Sequence, residues 1–168
     1  MRYRLDVIAT DVVEVVQYAG GWLFDRAMAG WDVTVLMNGT GYDPLPLQIL
    51  GAEVLDLEAA IEMDSRRPRP DALAVATDAY GRDSRVQQGV RLALDSGHTE
   101  VTLWGQAWPA ELASTGSVEH RLSVAARAFK ARALAAVAQP VESISGVEVF
   151  RSGTHSCCPV VADLVPAS

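Results

Sequence analysis

Two four-residue echoes carry most of the chemistry this sequence offers. Ile8-Ala9-Thr10-Asp11 closes one β-rich run and Val75-Ala76-Thr77-Asp78 closes another. Each sets a hydroxyl beside a carboxylate. If both pairs face one pocket, the threonines contact sugar or phosphate oxygens. Asp11 and Asp78 then accept from a ribose, hold a hydrated divalent ion, or serve as a general base. The same residue types also cap helices, and capping alone would account for them.

Two loops add candidates. Asn38-Gly39-Thr40-Gly41-Tyr42-Asp43 is a dense turn signal. Gly39 and Gly41 allow the positive φ of an anion-binding nest, and Tyr42 offers a face for stacking. An ordinary Asn-Gly turn uses the same residues. Tyr80-Gly81-Arg82-Asp83-Ser84-Arg85 follows the second echo and opens a helix. A helix start favours anions, and Arg82 is placed to pair one. The candidate ligand-binding set is therefore Thr10, Asp11, Asn38, Gly39, Thr40, Gly41, Tyr42, Thr77, Asp78, Tyr80 and Arg82.

Other chemistries lack their motifs. No G-x-G-x-x-G follows the first strand, no P-loop is present, and no G-x-S-x-G elbow appears. Lys130, the only lysine, sits inside a helix and not at a phosphate loop. His155, Cys157 and Cys158 carry soft or borderline donors, but a fourth zinc ligand is not in view, so no metal site is expected. Neighbouring cysteines build no disulfide framework, which suits a reducing, cytoplasmic setting.

These residues need a scaffold, and the chain alternates strand-like and helix-like segments. Strands are expected at 5–10, 31–37, 52–57, 72–77 and 100–105, with a sixth at 147–150. Helices are expected at 11–30 and 83–97. A longer one is expected from a Ser117 cap to Pro140, with Val118, Leu122, Ala125, Phe129, Ala133 and Ala136 inward. His120, Arg127 and Lys130 then form a solvated stripe. Gly20-Gly21 inside the first helix implies close approach of another backbone, either tight packing on its own sheet or a homodimer seam.

Alternation of this kind predicts a single-domain, Rossmann-like α/β/α sandwich with a mostly parallel sheet of five or six strands. Order 3-2-1-4-5 is favoured, with a flavodoxin-like 2-1-3-4-5 order as the alternative. The favoured order makes strands one and four neighbours, with their echoes on one crevice. The domain spans 1–150, and 151–168 is a tail that either adds an edge strand or packs down.

Composition narrows the partners. The chain has 168 residues, with 14 Lys+Arg against 21 Asp+Glu, for a net charge of −7. That disfavours nucleic acid and anionic membrane surfaces. No apolar run approaches the roughly 20 residues of a membrane span.

The run from Gly20 to Leu36, with a glycine closing a helix before Asp32-Val33-Thr34-Val35-Leu36, resembles the first β-α-β of many Rossmann-like proteins, GT-B glycosyltransferases among them. Leu50 to Leu57 resembles their next helix-to-strand passage. The resemblance implies the packing of that fold and carries over no catalytic residue.

The reading expected from sequence is a module binding a nucleotide or polar anion at the Asp11–Asp78 crevice. The alternatives are an enzyme using Asp11 and Asp78 as base or metal ligands, or a homo-oligomeric interaction module with no ligand.

Overall fold

The computed structural model of the chain describes residues 2–63, 66–105, 116–139, 143–153 and 163–166. Five strands form a parallel core: β1 (Arg4–Ala9), β2 (Asp32–Met37), β3 (Glu53–Asp56), β4 (Ala72–Ala76) and β5 (Glu100–Trp104). Their order is β3-β2-β1-β4-β5, as the alternation predicted, and β1 pairs with β4 in register from Leu5↔Ala72 to Ile8↔Val75.

The sheet does not stop there. β6 (Gly116–Arg121), β7 (Val147–Ser152) and β8 (Val165–Pro166) continue it as an antiparallel extension. The whole is an eight-stranded mixed sheet of order β3-β2-β1-β4-β5-β7-β6-β8. The expectation of five or six mostly parallel strands is therefore too small.

Six helices are described. α1 (Val12–Met28), α2 (Leu45–Ile49) and α6 (Val124–Ala136) pack on one another. α3 (Leu57–Glu62), α4 (Thr77–Arg82) and α5 (Ser84–Ser96) lie in the β3-to-β4 and β4-to-β5 connections. The β1-to-β2 and β4-to-β5 crossovers step across the sheet in opposite directions. Right-handed crossovers therefore put α1 and α5 on opposite faces. Asp11 caps α1 and Asp83 caps α5, each through its side chain.

The long helix expected from Ser117 is corrected. Residues 116–121 are β6, pairing with β7, and the helix begins after a Ser123 cap whose hydroxyl accepts from the Ala126 N–H. The spacing of Val118 and Leu122 fits either period, and a six-residue strand cannot be told from a helical turn by periodicity alone. The buried face of α6 is also one position off: Ala126, Lys130, Ala133 and Leu134 point inward, while Phe129 is 39% exposed. Treating Lys130 as solvated rotated the stripe. His120 likewise lies in a strand and is buried.

Gly20 and Gly21 pack against this chain's own side chains. A Cβ on Gly21 would overlap Leu122, and one on Gly20 would lie 3.3 Å from Leu50. The close neighbours are Leu122 at the entry to α6, Lys130 of α6 and Leu50 after α2, and the Gly21 N–H reaches Glu148 of β7. Trp22 stacks at a tilt on Phe150, 4.9 Å between ring centroids, in the core that α1 shares with the antiparallel strands.

Candidate functional site

The carboxyl ends of β1 and β4 open onto a cavity of about 670 Å³. Adjacent parallel strands bring both echoes to the same sheet edge, at the point where the strand order reverses. Thr10, Asp11, Thr77 and Asp78 all line it. So do Thr40, Gly41 and Tyr42 from the loop after β2, and Arg82 from the end of α4.

The two echoes touch. The Thr10 hydroxyl donates to Asp78 Oδ2 at 2.8 Å. The other Asp78 oxygen receives Arg82 Nε at 3.1 Å, a pair one helical turn apart. Asp11 Oδ1 accepts the Val13 N–H at 2.8 Å and so spends one oxygen on capping α1. Both aspartates are thus partly committed to the scaffold.

Three of the sequence candidates fall outside the cavity lining. Asn38 turns its amide to Asp83 Oδ2 at 3.3 Å. Gly39 passes close to the Thr10 carbonyl oxygen. Tyr80 is buried, and its carbonyl accepts from the Gln87 side chain. His155, Cys157 and Cys158 lie outside the described residues. Among the described residues, no three of His, Cys, Asp and Glu form a group that could hold a metal ion.

Sequence reasoning missed Glu14. It lies three residues past the Asp11 cap, so helical geometry turns it to the face Asp11 occupies, and it lines the same cavity. The Asp-x-x-Glu spacing is the available signal, but in a capping box the glutamate reaches back to the backbone. Here the Glu14 side chain makes no hydrogen bond to the described residues. Partial burial, then the charges of Asp11 and Asp78, push its carboxyl above the ordinary glutamate range, and Arg82 only partly opposes them. Asp43 and Trp104 also line the cavity and were not anticipated.

The electrostatics run against an anion. Asp11, Glu14, Asp43 and Asp78 face the cavity, and the one cation among the described lining residues, Arg82, is already paired with Asp78. A phosphate placed there would meet repulsion from several carboxylates at short range. A neutral hydrogen-bonding molecule or a cation fits the field.

No family model matches the chain, and no curated protein matches its sequence. Its fold does match solved structures. It is similar to the pseudoaglycone deacetylase Dbv21, with a TM-score of 0.63 and 15% identity over 90% of this chain and 97% of that one. It is similar to the hydratase GalB, which acts on 4-carboxy-2-hydroxymuconate in Pseudomonas putida, with a TM-score of 0.61 and 12% identity over 95% of this chain and 100% of that one. A triple mutant of a deacetylase of the teicoplanin biosynthetic pathway aligns with a TM-score of 0.54 and 14% identity, over 79% of this chain and 80% of that one. The likeness extends over most of each chain and is one of fold. These neighbours are deacetylases and a hydratase, all enzymes of small molecules. Among the described residues no helix is long and apolar enough to cross a membrane.

Proposed function

We propose that the crevice above β1 and β4 is the active site of an enzyme that uses water on a small, neutral or cationic polar molecule, with Glu14 as the proton-transfer group. The carrying observation is the place of Glu14 in the crevice lining beside Asp11 and Asp78, where partial burial and their charges push its carboxyl up. A carboxyl whose protonated form is favoured above the usual range is suited to exchanging a proton with water or with a leaving group. Partial burial, then the charges of Asp11 and Asp78, hold it there, and the hydroxyls of Thr10, Thr40 and Thr77 offer hydrogen bonds to substrate. Deacetylation and hydration share water as co-reactant, which supports this class over others; fold likeness alone does not assign a substrate.

A second reading has its own support. Asp78 is engaged by Thr10 and Arg82, and Asp11 by the α1 backbone, so the crevice also fits a binding module without turnover. One experiment separates the two. The protein is screened against N-acetyl amides, esters and neutral unsaturated amides and ketones, with thermal shift recorded in parallel. On the enzyme reading at least one compound turns over, and Glu14→Gln lowers kcat by about a hundredfold or more without unfolding the chain. Turnover untouched by Glu14→Gln removes the proposal. Saturable binding of a compound that the chain never converts moves the assignment to the binding module.

A further inference from the structure

We propose that the face of the sheet under α5 carries a second site, a trough between α3 and α5 that binds a small amphipathic carboxylate. The cavity there is about 860 Å³, larger than the crevice and separate from it. Its cause is topological. Among the described residues, the helix of the β3-to-β4 connection is the six-residue α3, which cannot cover the strands a full crossover helix would cover. Ile8, Leu36 and Leu73, one from each of three neighbouring strands, are left as an apolar floor. The walls are Leu57 and Ile61 on one side and Val86 and Leu92 on the other.

One residue of that floor does not belong to an apolar surface. Asp6 alternates with Ile8 on β1, lies in the cavity lining, and is 4% exposed. A carboxylate buried in such a place costs free energy unless it is paired. Arg67 pairs it, with Nη1 and Nη2 on the two Asp6 oxygens at 3.3 and 3.2 Å. Arg67 comes from the Arg-Pro-Arg-Pro stretch that reads in the sequence as an exposed connector; in the fold it turns inward. Arg69, two residues on, lines the same cavity and has no ion-pair partner among the described residues. Arg85 and Asp95 line it too, Arg85 already paired with Glu58 and Asp83. With Arg67 taken up by Asp6, the trough joins an apolar bed to one guanidinium, that of Arg69, that no described carboxylate pairs. An apolar body with one carboxylate matches both features, and the acidic crevice at the carboxyl edge of the sheet matches neither.

The test uses octanoate as probe, with octanol, octylamine and acetate as controls, by calorimetry on the full chain. Octanoate is expected to bind saturably and octylamine and acetate at least about tenfold more weakly. Arg69→Gln, at an exposed position, should weaken octanoate about tenfold and leave octanol unchanged. Gly89→Leu should abolish binding of both. Gly89 lines the trough with open space where a Cβ would go, and leucine is the better helix former. Methyl resonances supply a readout that needs no variant: octanoate should shift Ile8, Leu36 and Leu73 and spare Val12 and Val13 of the crevice. Equal affinity for octanoate and octylamine, shifts at Val12 and Val13 instead, or no binding at millimolar octanoate would each overturn the assignment.

Discussion

Lys130 and Glu148 form a buried ion pair, 2.7 Å apart, that enters the backbone ladder of α1. Lys130 Nζ donates to the Gln17 carbonyl at 2.6 Å, and Glu148 accepts the N–H groups of Gly21 and Trp22 at 2.9 and 2.7 Å. Gln17 and Gly21 are four residues apart, the spacing of one helical hydrogen bond. The pair therefore meets both the acceptor and the donor of a single turn. It joins α6 and β7 to the middle of α1, which begins at the crevice. Burial pushes the Glu148 carboxyl up, while Lys130 and the two N–H groups pull it back.

Breaking that pair should be costly. Lys130→Met leaves Glu148 buried without its counter-charge and is expected to lose about 3–5 kcal/mol of stability. Glu148→Gln strands the ammonium in the same way. The double variant, which removes both charges, should recover part of either loss. Urea unfolding of the four proteins in a double-mutant cycle measures it, and additive losses would show that the two side chains act independently.

Gly21→Ala tests the close approach of α1 to Leu122. Helix propensity alone favours alanine by about 1 kcal/mol. The overlap with Leu122 should reverse that sign, for a net loss of about 1–3 kcal/mol in chemical denaturation. Leu122→Ala, made in the same chain, should make the alanine at position 21 much less harmful. Gly20→Ala should be milder, because its nearest neighbours, Leu50 and Val16, lie at 3.3 and 3.4 Å.

The parallel core and its edge were legible because period and turn chemistry agree there. β4 reads as an unbroken apolar run, Gly97 ends α5 in the left-handed region, and Thr10 and Thr77 each directly follow a strand. Of the antiparallel half, the run 147–150 was legible and is β7, but β6 and the inward face of α6 were not, since their residues answer to partners far along the chain. Lys130 reads as solvent-facing until Glu148, 18 positions on, is seen beside it. His120 reads as helical until Asp25, 95 positions back, takes its Nε2 at 2.8 Å. Glu14 was hidden for another reason: its spacing to Asp11 is that of a cap, and only the cavity distinguishes the two roles.

Glu14 sets a pH dependence whose sign follows from its environment. Its folded-state pKa lies above the ordinary 4.5, so its contribution to stability is present below that value and is lost as pH rises through the folded pKa. Glu14→Gln should then be slightly more stable than wild type at neutral pH, by a few tenths of a kcal/mol after solvent screening. Asp11→Asn or Asp78→Asn should bring the Glu14 titration down toward its usual range. Carbon-13 titration of the glutamate carboxyl reads the shift, and no movement in either variant would mean that burial alone sets it.

Arg26 offers the sharpest test of the opposite end of α1. Its guanidinium lies 4.5 Å from the Trp22 ring centroid and 4.3 Å from that of Trp31. It bonds to Glu100 at 3.0 Å and to both oxygens of Asp163 at 2.8 Å. Burial pushes the Glu100 carboxyl up, and Arg26 is the main group opposing that. Arg26→Met should therefore destabilise the chain by about 3–5 kcal/mol at pH 8, where Glu100 must stay charged without its partner. The loss should shrink toward pH 5, where the unpaired carboxyl takes up a proton; the raised folded pKa gives stability at low pH and surrenders it as pH climbs. Arg26→Lys keeps the charge but not the planar fork, and should lose roughly 2 kcal/mol with little pH dependence. Because Asp163 precedes β8, amide exchange at Val165 should quicken in both variants. A pH-independent loss in Arg26→Met would show that stacking between the indoles, and not the pairing with Glu100, is what the arginine supplies.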